Sequence, residues 1–91
     1  MKTNDIFQKC DDVISKKMDD EMVLVNLKSE IIYTLNATGA KFWELIEEGK
    51  SFGQIITELQ AEYNITKEEL TTELEAIVSQ LVERGLIQHV K

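Results

Sequence analysis

The chain has 91 residues, which fits one domain, and its hydrophobic fraction of 43% is ordinary for a chain that folds. Ten Lys and Arg stand against 17 Asp and Glu, so a net charge of −7 argues against partners such as nucleic-acid phosphates and anionic membranes. The single cysteine, the polar N-terminus and the lack of any apolar run near the ~20 residues of a membrane span predict a cytoplasmic protein without disulfides.

Three strands are predicted in the first 35 residues. Residues 1–12 are polar and lack periodicity, so we expect a partly mobile lead-in to a single domain that spans residues 13–91. Runs rich in β-forming residues then predict strands at 13–18, 21–27 and 30–35. Asp19-Asp20 and Lys28-Ser29 provide the connections between them.

The last two strands predict a sheet with two apolar faces. Pairing them across Lys28-Ser29 places Leu24 opposite Tyr33, and Val25 opposite Ile32. One face then carries Met22, Leu24, Ile31, Tyr33 and Leu35, and the other carries Val23, Val25 and Ile32. Because one face of a small antiparallel sheet normally meets water, the second apolar face needs a cover. Either the domain itself or a partner provides it.

Helical spacing and capping residues predict two helices after residue 35. Asn36 is the N-cap of the first, Trp43 is its core anchor, and Gly49 ends it. A capping box formed by Ser51 with the glutamine three residues later opens the second. Asn64 is expected to end this helix in a left-handed conformation.

A third helix is predicted from a second capping box, Thr66 with Glu69, to Gly85. Its core stripe is expected at Leu70, Leu74, Ile77 and Leu81. A short extended tail containing Leu86, Ile87 and Val90 follows. The order β-β-β-α-α-α predicts an α+β fold.

Chemically reactive groups are few. His89 is the only histidine and lies near the end of the chain, while a catalytic triad or a metal site needs several groups at fixed spacing. Cys10 has no histidine near it in sequence. The clustered carboxylates at 11–12 and 19–21 lack the spacing and glycine of an EF-hand. We therefore expect no catalytic residue, no metal site and no cofactor, and interpret the chain as a binding module rather than an enzyme.

The segment YTLNATGA at residues 33–40, followed by Trp43, resembles the strand-to-helix junction of the PqqD family. The apolar strand 23–27 and the helix end at 81–87 resemble that family too, so the likeness covers roughly residues 13–88. It implies a winged-helix-like domain that binds the leader segment of a ribosomally made precursor peptide. Such a domain presents the leader to a radical-SAM enzyme or a leader peptidase, as in pyrroloquinoline quinone or lasso-peptide synthesis.

Two departures leave the pathway open. Proteins dedicated to pyrroloquinoline quinone synthesis often carry an Asp-Val pair where this chain has Glu73-Leu74. Their proline-containing strand segment is missing, since this chain has no proline.

The resemblance also implies a site, in which the leader adds a strand beside the third strand and lies against the third helix. The candidate peptide-binding residues are Ile31, Ile32, Tyr33, Thr34, Glu73, Ala76, Ile77 and Gln80. Ala76 either leaves room for a bulky leader side chain or packs the helix on the sheet.

The alternative function is a winged-helix transcriptional regulator that binds DNA. Its recognition helix would need exposed Lys and Arg, but the third helix is rich in glutamate. A homodimer formed through the sheet is compatible with the peptide-binding interpretation.

Overall fold

The structure is a computed structural model and describes residues 1–90. Its elements are β1 (Phe7–Lys9), β2 (Val13–Met18), β3 (Glu21–Asn26), β4 (Ile31–Leu35), α1 (Ala37–Glu47), α2 (Phe52–Glu62), α3 (Lys67–Glu83) and β5 (Ile87–His89). The predicted α+β class is confirmed, with three helices after a three-stranded antiparallel sheet in the order β2-β3-β4.

A second, two-stranded sheet joins the two ends of the chain. β1 pairs antiparallel with β5, and the Phe7 side chain is buried. The extended tail is therefore confirmed, while the predicted lead-in contains a strand that its polar composition did not indicate. Strands of three residues show no period of their own, and this pair forms only when distant segments meet. The boundary at residue 13 stays a prediction.

The predicted strand register is confirmed. Leu24 pairs with Tyr33 and Val25 with Ile32. The connection is longer than the expected Lys28-Ser29 turn, because β3 ends at Asn26 and β4 starts at Ile31.

The helix caps are largely those expected. The Asn36 side chain accepts a hydrogen bond from the Gly39 N–H, and the capping box of Ser51 forms in both directions. At α3 the Thr66 side chain accepts from the Glu69 N–H. The prediction for Asn64 is wrong, since its backbone is not left-handed. Instead α2 ends at Tyr63, which is extended (φ −112°) and packs its ring against the core.

The core lies between the inner face of the three-stranded sheet and the helices. Trp43 is completely buried, which confirms it as a core anchor, and α1 packs against β3 and β4. On α3 the third core position is Val78, not Ile77, which is only half-buried. Both lie about one turn beyond Leu74 because the helical repeat is 3.6 residues. The orientation of α3 in the fold places Val78 in the core and leaves Ile77 half-buried.

Trp43→Ala should lower the free energy of unfolding by about 3–5 kcal/mol, because it leaves a large cavity in the core. The Trp43 Nε1 is buried and has no hydrogen-bond partner within residues 1–90. Trp43→Phe keeps an aromatic ring and removes that N–H. It should therefore lower the free energy of unfolding by less than half as much as Trp43→Ala. Urea denaturation measures both, with Val82→Ala on the exposed side of α3 as the control. A loss for Trp43→Ala no larger than the control's would show that the core assignment is wrong.

Candidate functional site

The open edge of the sheet is the first component of the site. β4 is the last strand of the order β2-β3-β4 and, in the part of the chain that the structure describes, pairs only with β3. Over residues 1–90, the backbone hydrogen bonds outside regular elements include none to β4. Because alternate residues of a strand turn their N–H and C=O groups to opposite sides, half of the β4 backbone is available to another strand.

A stripe along α3 is the second component. Glu73, Ile77, Gln80 and Arg84 are spaced four, three and four residues apart, so they share one side of the helix. The guanidinium carbon of Arg84 lies 5.3 Å from the centroid of the Tyr33 ring, which shows that this side turns toward β4. Ile77 and Tyr33 are both half-buried and packed against the core. We call the space between β4 and these four residues of α3 the β4–α3 groove.

A buried amide holds the end of α3 against the sheet. The Asn26 Nδ2 donates to the Gly85 carbonyl oxygen at 3.0 Å, just beyond the end of α3. Its Oδ1 accepts from the backbone N–H groups of Lys28 at 3.0 Å and Ser29 at 3.1 Å. The β3–β4 turn closes further through a 2.8 Å bond from the Glu30 N–H to the Asn26 carbonyl, with Glu30 in the left-handed region (φ 64°). One side chain thus fixes the turn before β4 relative to the end of α3.

The eight candidate residues fall into two groups by orientation. On β4, Ile31 and Tyr33 are half-buried on the inner face, whereas Ile32 and Thr34 are exposed on the face away from the helices. On α3, the half-buried members are Glu73 and Ile77, and the exposed ones are Ala76 and Gln80. Exposed Ala76 does not pack the helix on the sheet. None of the eight is buried, so a ligand can reach each of them, and their role in binding stays a prediction.

Two residues of this region were not among the candidates. Arg84 ends the helix whose side is predicted to face the leader and is not itself a candidate, although it continues the spacing of Glu73 and Gln80 along α3. Asn26 carries no recognisable signal, because its partner Gly85 is 59 residues away.

The outer face of the three-stranded sheet is the side that points away from the helices. Ile14, Val25 and Ile32 lie side by side across the three strands on this face. Ile14 is 54% exposed and Ile32 67%. The domain therefore does not cover its own second apolar face with any residue from 1 to 90.

The thiol and imidazole groups show no arrangement for catalysis. Burial raises the pKa of the Cys10 thiol, and the neighbouring Asp11 and Asp12 carboxylates raise it further, so the thiol stays protonated and weakly nucleophilic. His89 Nε2 lies 3.1 Å from Asp5 Oδ1 beside the Phe7 ring. A hydrogen bond from the Lys2 backbone N–H is the main cause of the lowered pKa of Asp5, and His89 adds to it.

Metal-binding clusters and membrane-spanning helices are both absent among residues 1–90. That part of the chain holds no group of three or more His, Cys, Asp or Glu side chains placed to bind a metal ion. None of its helices is both long enough and apolar enough to cross a membrane.

Residues 21–87 match the family described as "Coenzyme PQQ synthesis protein D (PqqD)". The chain belongs to the PqqD family. The matched segment runs from the start of β3 to the start of β5, so it contains both sides of the β4–α3 groove. No curated protein matches the chain.

Two solved structures share the fold. "TbiB1 in Complex with the TbiA(beta) Leader Peptide" superposes with a TM-score of 0.84 at 31% identity, covering 89% of this chain and 94% of that one. "Lasso peptide synthetase B1 complexed with the leader peptide" gives 0.82 at 24% identity, covering 90% and 96%, and supports the fold alone. The family resemblance predicted from the YTLNATGA segment is confirmed.

Asn26→Ala should lower the free energy of unfolding by about 2–3 kcal/mol, because it leaves three backbone groups without their partner. Asn64→Ala is the matched control, since Asn64 is exposed. Urea denaturation of both variants measures the difference. Equal, small losses in the two variants would show that the Asn26 amide does not hold the turn to α3.

Proposed function

We propose that this chain binds the leader segment of a ribosomally made precursor peptide and presents it to a modifying enzyme. The observation that carries the proposal is the open edge of β4 facing the stripe of α3, in a PqqD-family chain 31% identical to TbiB1, whose structure holds a leader peptide. An extended peptide that adds to a sheet edge gains affinity from backbone hydrogen bonds and selectivity from its side chains.

The leader docks antiparallel to β4 in this proposal, since every strand pair of the fold is antiparallel and such pairs are slightly more stable. Side chains on one face of the added strand point toward α3 and contact Tyr33 and Ile77, which supply an apolar surface. Gln80 lies beside them and offers an amide for hydrogen bonds. Exposed Ala76 leaves the rim of the groove low enough for a larger leader side chain to pass.

Binding rather than catalysis is the proposed role, and it requires no cofactor of the chain itself. The support is that the TbiB1 structure is a complex with a leader peptide and that the Cys10 thiol is held protonated. The receiving enzyme would be a radical-SAM protein or a leader peptidase. The cytoplasm is the proposed compartment, because precursor peptides are released there by the ribosome.

The outer face of the sheet is the surface we assign to contact with that enzyme or with a second copy of the chain. It lies on the side of the sheet away from the helices, so a leader in the β4–α3 groove leaves Ile14 and Ile32 accessible. Contiguous exposed apolar side chains are typical of protein interfaces. Two copies that each carry −7 repel one another, which favours the enzyme over the homodimer.

DNA binding is disfavoured by the charge of α3. Together, α3 and its C-cap residue contain five glutamates and two basic residues: Glu68, Glu69, Glu73, Glu75 and Glu83, with Lys67 and Arg84. A recognition helix of this sign would be repelled by phosphates.

Isothermal titration with the TbiA(beta) leader peptide tests the proposal. The wild-type chain should bind it, and Ala76→Trp should weaken binding at least about tenfold, because the indole fills the rim of the groove. Ser79→Trp is the matched control, since it adds the same group on the solvent side of α3, and it should bind normally. Both variants should melt within a few degrees of the wild type.

Chemical-shift mapping locates the contact, and shifts are expected at residues 31–34 and 73–80. Shifts confined to α1 and α2, or normal binding by Ala76→Trp, would contradict the proposed groove.

A further inference from the structure

The two ends of the α3 stripe carry opposite charges. Glu73 and Arg84 are three helical turns apart on the same side of α3, about 16 Å along its axis. Within residues 1–90, neither side chain takes part in an ion pair, although Lys17, Lys41 and Lys50 all do. Two unpaired and opposite charges therefore border the β4–α3 groove.

Arg84 is held in position by two neutral partners and by no carboxylate among the described residues. Its Nε donates to Gln80 Oε1 at 3.3 Å, and the guanidinium lies over the Tyr33 ring. Both partners are neutral, so the positive charge is left for a ligand. A guanidinium oriented in this way pairs well with a carboxylate.

Glu73 lies at an acidic end of the groove. Glu69 lies one helical turn before it, and both line a concave surface with Ile65, Glu68 and Thr72 that contains no residue of β4. Glu73 is half-buried, so its carboxylate is less screened by water than those on the open side of α3. This end of the groove favours a cation.

The position of β4 relative to α3 determines which end of a bound strand lies near Arg84 and which lies near Glu73. The bond from Asn26 to the Gly85 carbonyl places the end of α3 beside the turn that precedes β4. Arg84 consequently lies on the turn side of the groove, over Tyr33 in the middle of β4. A strand that runs antiparallel to β4 brings its C-terminal part to this end and its N-terminal part toward Glu73.

We infer that the β4–α3 groove reads the order of charges along the leader, and the inference rests on the proposed function. A basic leader residue pairs with Glu73, and an acidic residue nearer the leader's C-terminus pairs with Arg84. Since a strand rises about 3.3 Å per residue, 16 Å corresponds to about five residues. Residues that point to the same face differ by an even number, so the two charged positions are about four or six residues apart.

The order of charges along the leader determines the direction and register in which it binds β4 more than it determines its affinity. Pairs at the rim of an interface contribute little attraction, but a leader with the reversed order places like charges together at both ends. We expect about a tenfold preference for the correct order among peptides of equal composition.

Selection from a displayed library of random 16-residue peptides tests the inference. It is run in parallel on the wild type and on the double variant Glu73→Lys/Arg84→Glu. Wild-type chains should enrich peptides with Lys or Arg four or six residues before Asp or Glu, and the double variant should enrich the opposite order. The single variants Glu73→Gln and Arg84→Gln should each lose the preference at one position only. Glu83→Lys is the control, since it makes the same charge change away from the stripe.

The outcomes separate this inference from the proposed function. One outcome would overturn the inference and leave groove binding intact. In it, the wild type and the double variant enrich peptides with the same charge order, and the Ala76→Trp variant fails to bind those peptides. If the double variant melts far below the wild type, the single variants Glu73→Gln and Arg84→Gln take its place. Unchanged charge preferences in both of them would then overturn the inference. If neither protein enriches any peptide, both the proposed function and this inference fail.

Discussion

The groove depends on one buried amide that joins two elements distant in sequence. Asn26 closes the β3–β4 turn with its oxygen and binds the end of α3 with its nitrogen. A buried amide with all these partners is stabilising, whereas any lost partner would leave a desolvated polar group. The relative position of β4 and α3 is therefore set by a directional contact rather than by apolar packing alone. Arg84 lies over Tyr33 in the same region, just before the Gly85 carbonyl that Asn26 binds.

The sheet presents two distinct surfaces, and the helices explain the difference. α1 covers the inner face and buries Leu24 and Leu35, which leaves the β4 edge open beside α3. No helix within residues 1–90 covers the outer face, so its apolar row stays exposed. A strand added at the edge would extend the outer face as well, because its alternate side chains point there. The two surfaces are thus adjacent at β4, and one partner can contact both the bound strand and the sheet.

Local patterns predicted much of the fold. Cross-strand register followed from centring the turn on Lys28-Ser29, which places Leu24 opposite Tyr33. The caps at Asn36 and Ser51 follow from short-range hydrogen bonds. What could not be predicted depends on tertiary contacts. β1 meets β5 across the whole chain, and the choice of Val78 over Ile77 depends on how α3 is oriented.

The candidate site was predicted only in part, for the same reason. The eight candidate residues came from a family resemblance, and the structure locates them without testing their role. The helical spacing from Glu73 and Gln80 indicates the side of α3 on which Arg84 lies, but its contact with Tyr33 could not be predicted. Asn26 could not be identified, since its partner Gly85 is far away in sequence.

Amide hydrogen exchange, followed by NMR, tests most directly whether a leader adds to β4 as a strand. The β4 amides that point away from β3 should exchange quickly in the free chain and slowly once the TbiA(beta) leader peptide is bound. The other β4 amides, already bonded to β3, should change little, so protection should alternate along Ile31–Leu35. Bound peptide with unchanged exchange throughout β4 would contradict the account.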